Sequence, residues 1–155
     1  MQFWDQHKTI TYYYEMITKS VYDKYQLTQM EYSILMFLHN NPQYATAADI
    51  VKIRKSTKSH VSTSLKSLED KGLIRRVQSD ENKKHVEIYL LDAAQQIIWD
   101  GEKAQKQFIK NIFQGLSEEE ITICKTIFNK ICTNAESCLN QKNRRIEENY
   151  LEKNI

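Results

Sequence analysis

Apolar residues recur along this chain in two rhythms, and the switch between them marks its organisation. Phe3, His7, Ile10, Tyr14, Ile17, Val21 and Tyr25 follow one another at three- and four-residue steps, the spacing of one helix face. Tyr12, Tyr13 and Tyr14 are consecutive, so they point in different directions and this helix meets more than one neighbour. Thr28-x-x-Glu31 is a capping box that opens a second helix, with Leu27 ahead of it as a staple residue. Ile34, Leu35, Phe37 and Leu38 form its buried side. Asn40-Asn41-Pro42 ends it, because the residue before proline disfavours helix. A short third helix, Ala47 to Arg54, takes Thr46 as its cap and turns Ile50, Val51 and Ile53 inward.

Thr57 opens the next helix, Lys58 to Lys71, on which Val61, Leu65 and Leu68 make the apolar stripe. Gly72 suits the left-handed position that ends it. The rhythm then changes to every second residue. Leu73 to Gln78 and His85 to Leu91 read as strands, with Val86, Ile88 and Leu90 on one face of the second and a charged tip, Ser79 to Lys84, between them. Asp92 is expected to cap a long helix from Ala93 to the neighbourhood of Gln114, where Gly115 stops it. A further capping box, Ser117-x-x-Glu120, opens a last helix that reaches Gln141 or beyond. On it Ile121, Cys124, Phe128, Ile131, Ala135 and Cys138 follow a seam suited to packing on another helix, across a dimer.

Charge sharpens this picture locally. The whole chain carries a net +2, yet residues 52–84 hold ten basic side chains against four acidic ones. The helix from Lys58 adds a face of Lys58, Ser59, Ser62, Thr63 and Lys66. Serine and threonine are mediocre helix formers. They suit a helix whose backbone must approach base edges and whose hydroxyls contact bases or phosphates. A polar, basic helix followed by a basic hairpin is the layout of a DNA-reading winged helix-turn-helix. The expected fold is therefore mainly α with α+β character. It is a single domain, 1–155, in which a winged helix-turn-helix lobe (26–92) is flanked by long N- and C-terminal dimerisation helices (1–25 and 93–155).

The order and spacing of several short motifs resemble the multiple-antibiotic-resistance regulator (MarR) family of bacterial transcription factors. They are Leu27-Thr28-x-x-Glu31-Tyr32-x-Ile34-Leu35, Ala48-Asp49-Ile50-Val51, Thr57-Lys58-Ser59-His60-Val61-Ser62, and Leu68-Glu69-Asp70-Lys71-Gly72-Leu73-Ile74-Arg75-Arg76. The resemblance runs from Tyr12 to the vicinity of Leu139. It implies a homodimer whose first and last helices interlace. It also implies two recognition helices roughly 34 Å apart on double-stranded DNA, in successive major grooves of a pseudo-palindromic operator. Repression of a nearby gene, and release by a small effector, are the expected behaviour. Family wings often carry Asp-x-Arg. Here the aligned positions are Asn82 and Lys84, with Lys83 between, and lysine is a hydrated point charge rather than a planar fork. Phosphate contact is the role expected of Lys83 and Lys84.

The candidate DNA-contacting residues are Thr57, Lys58, Ser59, His60, Ser62, Thr63, Lys66, Arg76, Lys83 and Lys84. Of Arg75 and Arg76, one is expected to brace the wing through an acid and the other to reach phosphate. Tyr13, Tyr14 and Tyr32 are candidates to line a pocket for a small aromatic effector, or else to fill an interface. Cys124, Cys132 and Cys138 form no Cys-x-x-Cys pair and are expected as small buried residues in a reducing, cytoplasmic setting. The four scattered histidines suggest no metal site and nothing suggests a cofactor. No apolar run approaches the roughly 20 residues of a membrane span, and no leader pattern opens the sequence. No Gly-rich phosphate loop, nucleophile motif or paired carboxylates point to an enzyme. Two alternatives stand beside the DNA-binding regulator. One is a helical-dimer module that binds protein rather than DNA. The other is a regulator that senses oxidant through its cysteines.

Overall fold

The computed structural model describes residues 3–78 and 86–152, with side chains described from 5 to 142. The helices are α1 (Phe3–Lys24), α2 (Gln29–Asn40), α3 (Ala47–Arg54), α4 (Lys58–Asp70), α5 (Gln95–Ile112) and α6 (Glu118–Glu152). Strands β1 (Ile74–Gln78) and β2 (Val86–Leu90) pair antiparallel, from Ile74 opposite Leu90 to Gln78 opposite Val86. The ladder gains a third edge where the Ile88 amide donates to the Ala45 carbonyl at 2.8 Å and Thr46 bridges Glu87. The chain divides into two compact units, residues 1–112 and 113–155.

The first unit holds the core. Ile34 and Leu35 of α2, Ile50 of α3, Val61, Leu65 and Leu68 of α4, Ile74 of β1 and Ile98 of α5 are almost fully buried. α4 therefore turns its predicted stripe inward. α3 departs from expectation: Ile50 is buried and Val51 partly so, which centres its inward face between them and leaves Ile53 42% exposed. α1 is likewise buried only along its second half. Thr18 and Val21 lie inside, Tyr22 and Tyr25 pack on the core, and Ile10 is 52% exposed. Asp92 does not cap α5. It starts a short 3-10 turn, Asp92–Ala94, that leads into the helix.

The ends of the elements explain why they meet as they do. α4 finishes in a Schellman motif. The Leu73 amide donates to the Leu68 carbonyl and the Gly72 amide to that of Glu69, with Gly72 at φ +68°. Leu68 and Leu73 are both buried, completing the hydrophobic contact that accompanies this turn. α1 ends in the same bond pattern, Leu27 to Tyr22 and Gln26 to Asp23, but with Gln26 in the left-handed position at φ +53°. α5 crosses α2 at Gly101, where an added Cβ would stand 2.6 Å from Met36 Sδ and 3.0 Å from the Tyr32 hydroxyl.

One buried carboxylate ties three of these ends together. Glu31 is 2% exposed. Its Oε2 accepts the Thr28 amide at 2.7 Å, closing the predicted capping box. The Lys71 ammonium donates to Glu31 Oε1 at 3.1 Å and to Oε2 at 2.9 Å, and to the Gln26 carbonyl at 3.2 Å. Burial pushes the Glu31 carboxyl up. Hydrogen bonds from the Ser67 hydroxyl, Lys71 and the Thr28 amide together outweigh it and hold the group below its ordinary range.

Lys71→Met leaves that carboxylate without its cation. It is expected to destabilise the protein by about 2–3 kcal/mol in urea at pH 7, somewhat less than the roughly 3–5 kcal/mol of a fully buried pair, since Lys71 keeps some water. Because the Glu31 pKa is depressed on folding, its contribution is present above the unfolded carboxylate value of about 4.3 and fades as pH falls through the folded value. Glu31→Gln should therefore lower stability at pH 7 and flatten its loss below pH 4. An unchanged acid limb in that variant would contradict this account.

Candidate nucleic-acid interface

α4 has two sides with opposite chemistry. Val61, Ser64, Leu65 and Leu68 are buried, while Lys58, Ser59, His60, Ser62, Thr63 and Lys66 are all exposed. At about 100° per residue, Lys58, Ser59, Ser62 and Lys66 fall within one roughly 100° sector, Thr63 lies beyond its edge, and His60 further round. Thr57 is the N-cap, its hydroxyl accepting the His60 amide at 3.3 Å. α3 is capped by Thr46 and Asp49 in a reciprocal box, and ends at Lys55 in the left-handed region, φ +52°. That turn sets α3 and α4 as a helix-turn-helix pair, with Lys52, Arg54 and Lys55 exposed beside it.

Of the two wing arginines, Arg76 is the one that braces the hairpin. Arg76 donates from Nε to Glu69 Oε2 at 2.9 Å and from Nη2 to the same oxygen at 2.5 Å, while Glu69 Oε1 accepts the Arg76 amide at 3.1 Å. These bonds hold Glu69 below its ordinary range and raise Arg76. Arg76 thus joins β1 to the last turn of α4. Arg75 is exposed and pairs across the ladder with Tyr89. Asn82, Lys83 and Lys84 lie outside the described residues.

Between α3, α4 and the hairpin runs a groove of about 610 Å³, lined by apolar Val51, Val61, Leu65 and Ile88 with Lys58 and Arg76 among its polar groups. Its size is that of a small-molecule site. The sequence held no signal for it, because its walls come from segments far apart in the chain. Of the three predicted effector tyrosines, Tyr13 and Tyr14 share one aromatic neighbour and Tyr32 has another. Tyr13 and Tyr14 both pack on Phe108, at ring separations of 5.7 and 5.1 Å. Their hydroxyls accept from Asn111 at 2.5 Å and Gln105 at 3.2 Å. Tyr32 stacks near Tyr22 at 5.9 Å, and its buried hydroxyl has no hydrogen-bond partner among the described residues. Burial, with Tyr14 nearby, pushes that phenol far above its usual value.

α6 carries Ile123, Ile127, Phe128, Ile131 and Leu139 between 45% and 55% exposed. Cys124, Cys132 and Cys138 are exposed thiols on the same helix rather than the buried residues expected. Among the described residues no cluster of three potential metal ligands occurs, and no helix is long and apolar enough to cross a membrane.

This arrangement of α2, α3, α4 and a two-stranded hairpin is a winged helix-turn-helix, extended by long helices before and after it. Residues 25–85 match the sequence model of the MarR family. No curated protein matches the chain in sequence. The fold is shared with solved structures at low identity. A Staphylococcus aureus MepR–DNA complex is 21% identical, with 86% of this chain and 96% of that chain covered and a TM-score of 0.74. A putative MarR-family regulator from Listeria monocytogenes, complexed with 26mer DNA, is 21% identical over 86% of this chain and 89% of that one, with a TM-score of 0.77. MarR itself is 15% identical over 91% and 95%, with a TM-score of 0.74.

Capping and surface contact can be separated by stability alone. Thr57→Ala removes the α4 cap and is expected to cost about 1 kcal/mol in urea unfolding. Ser62→Ala and Thr63→Ala, on the exposed side, should stay within about 0.5 kcal/mol of the parent.

Proposed function

We propose that this protein is a homodimeric, sequence-specific DNA-binding transcriptional regulator, a repressor that a small effector releases from a pseudo-palindromic operator. The observation that carries this reading is the outer side of α4. A helix that spends its exposed positions on Lys58, Ser59, Ser62, Thr63 and Lys66, within a winged helix that matches the MarR-family model, has the lysines to neutralise phosphates and the short hydroxyls to reach base edges. Two proteins of similar fold are described in complex with DNA, which supports the same partner here. No arginine, asparagine or glutamine stands on this side, so specificity rests on hydroxyls, His60, bridging water and DNA shape rather than on bidentate pairs. Thr57 and Arg76 serve the interface indirectly, by starting α4 and bracing the hairpin to it. Lys83 and Lys84 are assigned phosphate contacts on their place in the sequence.

Dimerisation draws support from α6, whose row of half-exposed isoleucines and Phe128 suits a second copy. Effector release draws support from the groove under α4, because a ligand there touches Val61, Ser62 and Leu65 of the recognition helix. The protein would act by binding rather than catalysis, in the compartment that holds the genome.

The test is duplex binding over a series of salt concentrations, using fragments selected from genomic DNA. Lys58→Ala with Lys66→Ala should weaken binding and make the plot of log affinity against log salt shallower by about 0.9 for each lost phosphate contact. A parent protein that binds no fragment in a salt-dependent way would turn the assignment to a protein-binding helical dimer.

A further inference from the structure

α6 is exposed all round from residue 122 to 142, and one line along it has a symmetry that the regulator reading does not use. Ile131 stands at its centre. Glu120 and Cys124 precede it by eleven and seven residues, and Cys138 and Lys142 follow it by seven and eleven. At about 100° per residue all four lie within roughly 20° of the Ile131 direction. Between them, Ile127 and Phe128 on one side are matched by Asn134 and Ala135 on the other. Cys132 points about 100° away from this line.

A helix patterned in this way is complementary to itself when a second copy lies antiparallel across Ile131. Acidic Glu120 then meets the partner's Lys142. Bulky Ile127 and Phe128 meet the partner's small Asn134 and Ala135. Cys124 meets the partner's Cys138. One two-fold axis generates every contact twice, as an isologous interface requires. All three thiols of α6 are exposed, and only Cys124 and Cys138 lie on the Ile131 line. Helices packed 8–10 Å apart, with Cα atoms about 2.3 Å from each axis, bring facing Cα atoms to roughly 3.4–5.4 Å, which overlaps the 4.4–6.8 Å that a disulfide spans.

We propose that α6 pairs antiparallel with α6 of a second copy about Ile131, and that peroxide joins Cys124 to the partner's Cys138 in two symmetric disulfides. This rests on the homodimer proposed above and adds its register and a redox lock. One thiolate attacks the peroxide O–O bond, giving a sulfenic acid and hydroxide. The facing thiolate attacks the sulfenic sulfur, the S–S bond forms, and hydroxide leaves. Two sulfurs lose two electrons, and one peroxide becomes two waters for each disulfide. Thiol reductants reverse the lock.

The experiment uses the full chain, reduced, then treated with hydrogen peroxide and quenched. It is read by non-reducing electrophoresis and by mass mapping of cross-linked peptides. The parent and Cys132→Ser should run at twice the 18.4 kDa chain mass. Cys124→Ser and Cys138→Ser should each lose at least nine-tenths of that species. Mixing those two variants, so that subunits exchange, should restore it in the mixed dimers through a single disulfide. Circular dichroism of each variant confirms that the helix is kept. Cross-links mapping to Cys132, or from Cys124 to the partner's Cys124, would overturn the register. So would no cross-link in a protein that light scattering finds dimeric. A reduced protein that light scattering finds monomeric would instead remove the homodimer itself.

Discussion

A carboxylate cannot sit in a protein interior without hydrogen bonds and a countercharge, and Glu31 is the point where this chain meets that demand. The donors that satisfy it come from the first turn of α2 and the end of α4, and Lys71 reaches on to the Gln26 carbonyl behind α1. The last turn of α4 is therefore fixed in place and not only packed. Apolar burial alone would let a helix roll by some degrees about its own axis. A lysine held between one carboxylate and one carbonyl does not allow that. The side of α4 that faces outward is set by a bond at its far end, and Arg76 with Glu69 fixes the hairpin to the same turn.

The same fixation explains why α4 can afford so many serines and threonines. The helix is secured by Val61, Leu65 and Leu68 inside, by Thr57 at its start and by the Schellman turn at its end. Its exposed positions need not favour helix, and are left to chemistry. Ser64 is the exception that marks the boundary. It is buried at 8% exposure among the apolar residues, where a small side chain lets the helix approach its neighbours.

Much of this was legible in the sequence because it is local. Helix stripes, the Thr28–Glu31 and Ser117–Glu120 boxes, Gly72 and the alternation in β2 are all written within a few residues of where they act. What escaped is what joins distant segments. Lys71 counts as one more positive charge in the basic stretch, yet its charge is spent on Glu31, forty residues earlier. Arg76 likewise answers Glu69, so the field offered to a polyanion is narrower than the sequence count suggests. Asp92 looked like a cap because it precedes a helical pattern, but the backbone first takes a 3-10 turn. Ile53 looked buried because eight residues are too few for periodicity to locate a face, and Ile50 with Val51 decides the matter.

The two proposals are connected by an energetic argument. Three short hydroxyls and two lysines on one helix cannot by themselves define a long DNA site, and most of their affinity is the salt-sensitive phosphate part. Specificity of the kind a regulator needs is reached by using two such helices at once, which makes the strength of the subunit contact part of DNA recognition. On α6 the five large apolar side chains remain about half exposed. Covering them on both copies gains roughly 1 kcal/mol per side chain by area, to be set against an association cost of about 4–15 kcal/mol. The two quantities are close. A contact balanced in that way leaves the dimer sensitive to concentration, and a covalent bond between Cys124 and the partner's Cys138 would remove that sensitivity without altering α4.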